Sequence, residues 1–487
     1  MKEMIHKYEQ NGQYIVLDVC SGGVHVVDEL TYKLLDYVAP PFADVCPDEI
    51  IAKMDGFDKD DVKECYAELK ELYDAKMLFT EDDYEQYAAM AMKAPIKAMC
   101  LHVSHDCNLR CKYCFAQTGD FGGDRMLMKP ETGKKAMDFL IKHSANRENL
   151  EVDFFGGEPL MAWDTVVETV KYARSIEKQH GKNFRFTITT NGMLLDDEKI
   201  DYINKEMSNC VLSLDGRKEV NDNIRPTPNG RGSYDIIVPK YQKLVAGRGT
   251  KDYYVRGTFT KYNLDFANDV LHISDLGFEQ LSVEPVVTDP EMPYAITESD
   301  LPTIFAEYDR LEKLMEEQKL ANKRKFNFFH FMIDLNQGPC AVKRLRGCGC
   351  GNEYVAVTPD GDIYPCHQFV GIEEWKMGDI FTGKVDQKIK DYFAGIHIYS
   401  KESCGNCWAR FYCSGGCNAN SFIYEGDVKK PHKLSCELQK KRIECAIALA
   451  AAGKEAEELN IKQHGRDRQS HVRYFYMSSF NSSTSFL

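Results

Sequence analysis

Cys404, Cys407, Cys413 and Cys417 follow one another with the spacing C-x2-C-x5-C-x3-C, and no other feature of the 487-residue chain restricts its fold as much. With eighteen cysteines available, chance gives that spacing in roughly one such chain in a thousand. Four thiols this close, in a chain long enough to bury several cores, point to a metal or redox centre rather than a disulfide framework. A second group, Cys107, Cys111 and Cys114, has the spacing C-x3-C-x2-C directly after a predicted strand. A structural zinc site takes four ligands, whereas three thiolates on one loop hold three irons of a [4Fe–4S] cube and leave the fourth open to a substrate. For the tetrad, zinc and iron–sulfur both remain open, because thiolate sets suit either. The scattered cysteines 20, 46, 65, 100, 210, 340 and 445 read as buried, inert thiols.

Charge narrows the partners. There are 61 basic and 75 acidic residues, a net charge of −14, which disfavours nucleic acid and anionic membrane surfaces. No run of 18 apolar residues occurs, and the first ten residues lack an apolar signal core, so a soluble cytoplasmic protein is expected.

Along the chain, residues 1–92 read as a small α/β module. Its β-rich runs at 14–19 and 24–27 are joined by Ser21-Gly22-Gly23, and helical faces follow at Leu30, Leu34 and Leu35 and at Val62, Tyr66, Leu69 and Leu72. Residues 44–93 hold 15 acidic and 6 basic side chains, which suits a basic partner segment. From 93 to 333, six β-rich runs (96–103, 150–155, 184–190, 210–214, 253–260 and 280–286) alternate with helical stretches, the pattern of a parallel α/β sheet, open or curled into a partial barrel. Ligands of such sheets sit at the C-terminal ends of strands. There the chain places Ser104-His105-Asp106-Cys107, Gly156-Gly157-Glu158-Pro159, Asn191-Gly192 and Asp215-Gly216. Residues 334–463 are irregular and cysteine-rich before a final helical run at 435–459. The tail, 464–487, holds six serines and five aromatics without a core-forming period and reads as disordered or appended.

The Cys107, Cys111, Cys114 spacing, with Tyr113 before the third cysteine, resembles the signature of the radical S-adenosylmethionine superfamily. That resemblance implies a partial (β/α)6 barrel and a [4Fe–4S] cluster whose open iron chelates S-adenosylmethionine, from which reductive cleavage yields a 5′-deoxyadenosyl radical. It also implies that Gly156, Gly157, Glu158 and Pro159 form the turn that binds the methionyl amine, with the Glu158 carboxylate offered to the ammonium. Thr190 and Asn191, with Ser213 and Asp215, would meet the methionine carboxylate and the ribose, and Arg225 is a further candidate.

The C-terminal cysteines, taken with Gly361-Asp362-Ile363-Tyr364-Pro365-Cys366, resemble the seven-cysteine pattern of the SPASM domain. That likeness implies two auxiliary [4Fe–4S] clusters and three in all. Cys348, Cys366 and Cys417 would serve one, and Cys404, Cys407, Cys413 and Cys436 the other. Cys350 is a possible fourth ligand of the first, but two ligands one residue apart are geometrically tight, which favours an open iron able to hold a substrate thiolate. His367 reads as a surface residue. The order of modules, with Tyr14-Ile15-Val16-Leu17-Asp18-Val19 and Gly347-Cys348-Gly349-Cys350-Gly351-Asn352, resembles the maturases that form thioether crosslinks in the SCIFF peptide, of ranthipeptide or sactipeptide type. The implied partners are a Cys-rich precursor peptide whose leader is bound by a winged-helix-like module at residues 1–92, and an external flavodoxin- or ferredoxin-type electron donor, in an anaerobic cytoplasm. The alternatives are an anaerobic sulfatase-maturating enzyme and a non-catalytic iron–sulfur or zinc peptide-binding protein.

Overall fold

Strands rich in β-branched and aromatic residues, each followed by a helix with one apolar face, fold back in the same direction and build a parallel sheet. In the computed structural model, which describes residues 3–88, 94–321, 326–333, 335, 344–462 and 472–475, these are β4 (Ala98–Ser104), β5 (Asn149–Gly156), β6 (Asn183–Thr190), β7 (Asn209–Ser213), β8 (Tyr254–Phe259) and β9 (Gln280–Pro285). They pair in chain order and in parallel, as the six-unit reading expects. Every residue of β4 is buried. The covering helices include α5 (Pro130–His143), α6 (Trp163–Ile176), α7 (Asp197–Glu206), α8 (Lys218–Ile224), α9 (Tyr234–Ala246), α10 (Phe266–Asp275) and α11 (Leu301–Leu320). One large apolar core runs from Ile96 to Val286 and beyond.

The sheet does not stop at the barrel. The two-residue strand β10 (Asn327–Phe328) pairs beside β9. On the other side β11 (Tyr354–Val357) pairs in parallel with β4 and continues through antiparallel β12 (Asp362–Tyr364), β13 (Gly378–Asp379) and β14 (Lys384–Val385). The cysteine-rich region is thereby hydrogen-bonded to the strand that carries the first cysteine loop.

The N-terminal residues form a meander of β1 (Ile5–Gln10), β2 (Gln13–Asp18) and β3 (Val24–Val27), followed by α1 (Glu29–Leu34), α2 (Asp48–Ile51), α3 (Lys59–Asp74) and α4 (Glu85–Ala88). Asp58 caps α3 by accepting from the amides of Asp60 and Asp61, and Val62, Tyr66, Leu69 and Leu72 face inward. The module has its own core around Leu34, Val62 and Leu69. A second face of the same sheet, with Tyr8, Ile15, Leu17 and Val19, packs against Trp408, Phe411, Ile443 and Ile447. The tail departs from expectation. Val472–Phe475 forms a strand paired antiparallel with β3, Val472 opposite Val27 and Phe475 opposite Val24. Its Val, Tyr and Phe favour strands, and the outer edge of β3 has free backbone groups to pair with. The rest of the tail lies outside the described residues. Among those described, no helix is long and apolar enough to cross a membrane.

One buried cation ties the modules together. The Arg410 guanidinium is fully buried and pairs with Asp82 at 3.2 Å, donates to the carbonyls of Glu3 and Cys407, and reaches the Cys20 sulfur at 3.3 Å. Next to it, His6 stacks on Trp408 with ring centroids 3.7 Å apart. Removing one member of a buried pair strands the other, so Arg410→Leu is expected to lower unfolding free energy by about 3 kcal/mol, measured by anaerobic denaturant titration.

Candidate active site

The loop after β4 is fixed before any cysteine is reached. Asp106 accepts from the Cys107 amide through its carboxylate, and its own amide and carbonyl are bonded to the Ser104 hydroxyl. Farther along, the amides of Arg110 and Lys112 donate to the carbonyls of Pro226 and Ile224, so the cysteine loop lies as an extended partner beside the segment that carries Arg225. Asn191 donates to the Asn108 side chain at 2.8 Å and reaches the Cys107 sulfur at 3.6 Å. Burial pushes the Cys107 thiol up to about 12 and Cys111 to about 11, the Arg225 guanidinium acting in the opposite direction on both. Such thiols become thiolates when a metal centre takes the proton's place.

Two glycines hold the next turn against this loop. The amide of Gly157 donates to the Ser104 carbonyl and that of Glu158 to the Asp106 carbonyl. A Cβ at Gly156, whose φ is +126°, would lie 2.1 Å from the Ser104 oxygen, and one at Gly157 2.2 Å from the Asp106 oxygen. No side chain fits at either position. Pro159 then opens a short turn, Pro159–Ala162. The Glu158 carboxylate is 1% exposed and accepts from the amides of Leu160 and Asn191 and from the Thr190 hydroxyl, at 2.7–3.0 Å. Its role within the protein is to lock the β5 turn to the β6 turn. The sequence reading had offered that carboxylate to a ligand's ammonium, and three protein donors now share it.

Tyr113, Asp215 and Arg225 meet in a buried triad. The Tyr113 hydroxyl donates to the Asp215 carboxylate at 2.9 Å, and Arg225 donates to the Tyr113 oxygen at 2.6 Å. Asp215 also accepts from the Thr258 amide. Burial raises its pKa and Arg225 counters that. Ser213, which ends β7, accepts at its carbonyl from Tyr241. Sequence reasoning missed Tyr241. Its hydroxyl ties the Thr190 and Ser213 carbonyls together, and its ring fills the space where a Cβ of Gly192 would lie, 2.4 Å away. In the sequence it reads only as an apolar position of α9.

The electrostatic neighbours of the C-terminal cysteines sort into two groups. Cys348, Cys366 and Cys417 act on one another electrostatically, and Cys350 joins them. Its buried thiol is hydrogen-bonded to that of Cys366, which pulls Cys366 down, while burial pushes Cys350 up. The tight C-x-C geometry is relieved by Gly349 and Gly351, both in left-handed conformation at φ +74° and +70°. The other group is Cys404, Cys407, Cys413 and Cys436, shaped by left-handed Ser403 and Ser414. The all-thiol donor sets fit iron–sulfur cubes.

His367 was read as a surface residue, yet its ring sits between Phe115 and Phe155, with centroids 5.5 and 5.2 Å away. It follows Cys366, and Phe115 follows Cys114, so the first cysteine loop and the nearer C-terminal set meet across an aromatic wall that Phe121, His102 and His105 extend.

Comparison with known proteins agrees with this arrangement. Residues 101–254 match the Radical SAM superfamily model, and residues 348–408 match SPASM, an iron–sulfur cluster-binding domain. A cysteine-type anaerobic sulfatase-maturating enzyme of Clostridium novyi (strain NT) is 25% identical over 334 residues, covering 65% of this chain and 86% of that protein. The solved structure of native anSMEcpe with bound AdoMet and Cp18Cys peptide superposes with a TM-score of 0.59 at 19% identity, over 75% of this chain and all of that one. Streptococcus suis SuiB bound to precursor peptide SuiA does so with a TM-score of 0.51 at 15% identity, over 89% and 99%. The chain carries a radical SAM domain followed by a SPASM domain.

Because a Cβ at residue 157 would overlap the Asp106 backbone, Gly157→Ala displaces the cysteine loop by the better part of an ångström and is expected to cut reductive release of 5′-deoxyadenosine about 100-fold. Gly123→Ala, whose nearest neighbour is 3.6 Å away, serves as the control with wild-type release. Chromatography of anaerobic reactions reads both.

Proposed function

We propose that the chain installs intramolecular thioether crosslinks, from a cysteine sulfur to a carbon of an acceptor residue, often threonine, in a small Cys-rich precursor peptide. The observation that carries this reading is the Phe115–His367 contact, which brings together the residue after Cys114 and the residue after Cys366. A reaction that removes a hydrogen on one side and takes an electron on the other needs that proximity. Cys107, Cys111 and Cys114 would hold a [4Fe–4S] cluster that, with S-adenosylmethionine bound, would supply reductive cleavage and hydrogen abstraction.

The residues around it have separable tasks. Gly156 and Gly157 bring backbone close enough to receive the methionyl amine. Asn191 presents the β6 turn to its carboxylate, and Ser213 and Asp215 stand at the ribose end, where Tyr113 and Arg225 hold the Asp215 carboxylate in place. In the auxiliary pair, Cys348, Cys366 and Cys417 take Cys350 as fourth thiolate, in preference to an open iron. Cys404, Cys407, Cys413 and Cys436 form the second set.

Leader recognition belongs to residues 1–92, through strand addition at the outer edge of β3. The segment Val472–Phe475 already pairs there, which supports an edge able to take an extended chain. A sulfatase-maturating activity is the second reading, favoured by the likeness to the Clostridium novyi enzyme. Against it, the anSMEcpe structure covers 75% of this chain whereas SuiB covers 89%.

Incubation of the reconstituted protein with reductant, S-adenosylmethionine and a Cys-rich precursor is expected to remove two hydrogens per link by mass spectrometry. Turnover of a sulfatase peptide instead would replace this reading with the second. Iron content is expected at about twelve per chain, falling to about eight when Cys107, Cys111 and Cys114 become alanine; zinc in place of iron would refute the cluster assignment. Truncation after residue 463 frees the β3 edge and is expected to tighten precursor binding about tenfold, measured by fluorescence anisotropy.

A further inference from the structure

Lysine is rarely buried unless an anion accompanies it, because an ammonium loses its hydration in the interior. Lys401 is only 5% exposed. Its ammonium donates to the Gly415 carbonyl at 2.8 Å, and its aliphatic stem lies along Gly415, where a Cβ would meet Cδ at 3.3 Å. Among the described residues it makes no ion pair with a carboxylate. Burial pulls the Lys401 ammonium down, and Cys404, Cys417, Cys413 and Cys348, in decreasing order, are the neighbours that oppose this. Two of these belong to each C-terminal set. Gly415 itself lies on the short link from Cys413 in one set to Cys417 in the other. Lys401 also lines the recess shared by Cys350, Gly347, Ser414 and Asn418.

We propose that Lys401 is the shared counter-charge of the two auxiliary iron–sulfur sites, a fixed ammonium at their junction that holds the reduction potentials of both centres up. The inference rests on the reading that both thiol sets hold clusters. Each cluster gains one negative charge on reduction, and a nearby cation in a poorly solvated site favours the more negative state. A single charge between two centres acts on both, which a surface lysine screened by water and salt would not do.

The test uses the full-length protein, reconstituted anaerobically, as wild type, Lys401→Met and Lys401→Arg. Iron and sulfide are assayed, and potentials are read by redox titration followed by electron paramagnetic resonance. In Lys401→Met both auxiliary signals are expected to shift to more negative potential, with the signal of the Cys107, Cys111, Cys114 centre unmoved, while Lys401→Arg keeps wild-type values. Unchanged auxiliary potentials in Lys401→Met, or a shift of only one, would overturn the proposal. Should Lys401→Met fail to load the auxiliary sites, full loading of Lys401→Arg supports the charge role, and failure of both variants assigns Lys401 to packing and overturns it. Wild-type protein without auxiliary iron would remove the cluster reading beneath it, an outcome separate from failure of the lysine's role.

Discussion

Everything at the mouth of the barrel depends on the backbone-to-backbone contact between residues 104–106 and 156–158. Two amides cross that gap to two carbonyls, and the distance is so short that only glycine fits at 156 and 157. From there the Glu158 carboxylate reaches the β6 turn, and the Asn191 amide returns to the cysteine loop. Three βα turns thus become one unit. The loop carrying Cys107, Cys111 and Cys114 is long and irregular, yet its start, its middle and its outer edge are each held by a different partner segment. Rigid placement of three sulfurs on one loop is what an open fourth iron position requires.

Covalent spacing made the thiol groups legible. Cys107, Cys111 and Cys114 sit at short, fixed intervals on one loop, and that interval survives in the sequence whatever the rest of the fold does, whereas Cys348, Cys366 and Cys417 are spread along the chain and are grouped by resemblance alone. The six parallel strands were legible for a related reason. Strands buried on both faces read as continuous β-rich runs, and runs such as 184–190 and 280–286 match β6 and β9 to within a residue or so. The contacts that join turns to one another left no such trace. Tyr241 is indistinguishable in sequence from any buried helix residue, and the position of His367 between Phe115 and Phe155 depends on segments some 200 residues apart in the chain. The left-handed turns of Gly349 and Gly351 around Cys350 are likewise a backbone feature that the spacing alone does not reveal.

The N-terminal module shows the same limit. Its helices and hairpin were readable, but its packing against the C-terminal region leaves no local pattern. The sheet has two apolar faces, and one of them closes only against Trp408, Phe411 and the C-terminal helix Lys433–Lys462. Tyr8 donates to the Glu444 carbonyl and His6 contacts the Glu444 carboxylate on that same helix.

That helix begins three residues before Cys436 and continues past Glu444, so a ligand of the outer thiol set and the support of the first strand belong to one rod. Its residues also pack along α11, on the outside of the barrel, where Lys441 pairs with Asp309. Transplanting the N-terminal module onto another barrel would therefore carry across an uncovered greasy face and leave a matching one behind. A workable chimera has to exchange the first ninety residues and the helix Lys433–Lys462 as a single part, two pieces far apart in the sequence that the fold treats as neighbours.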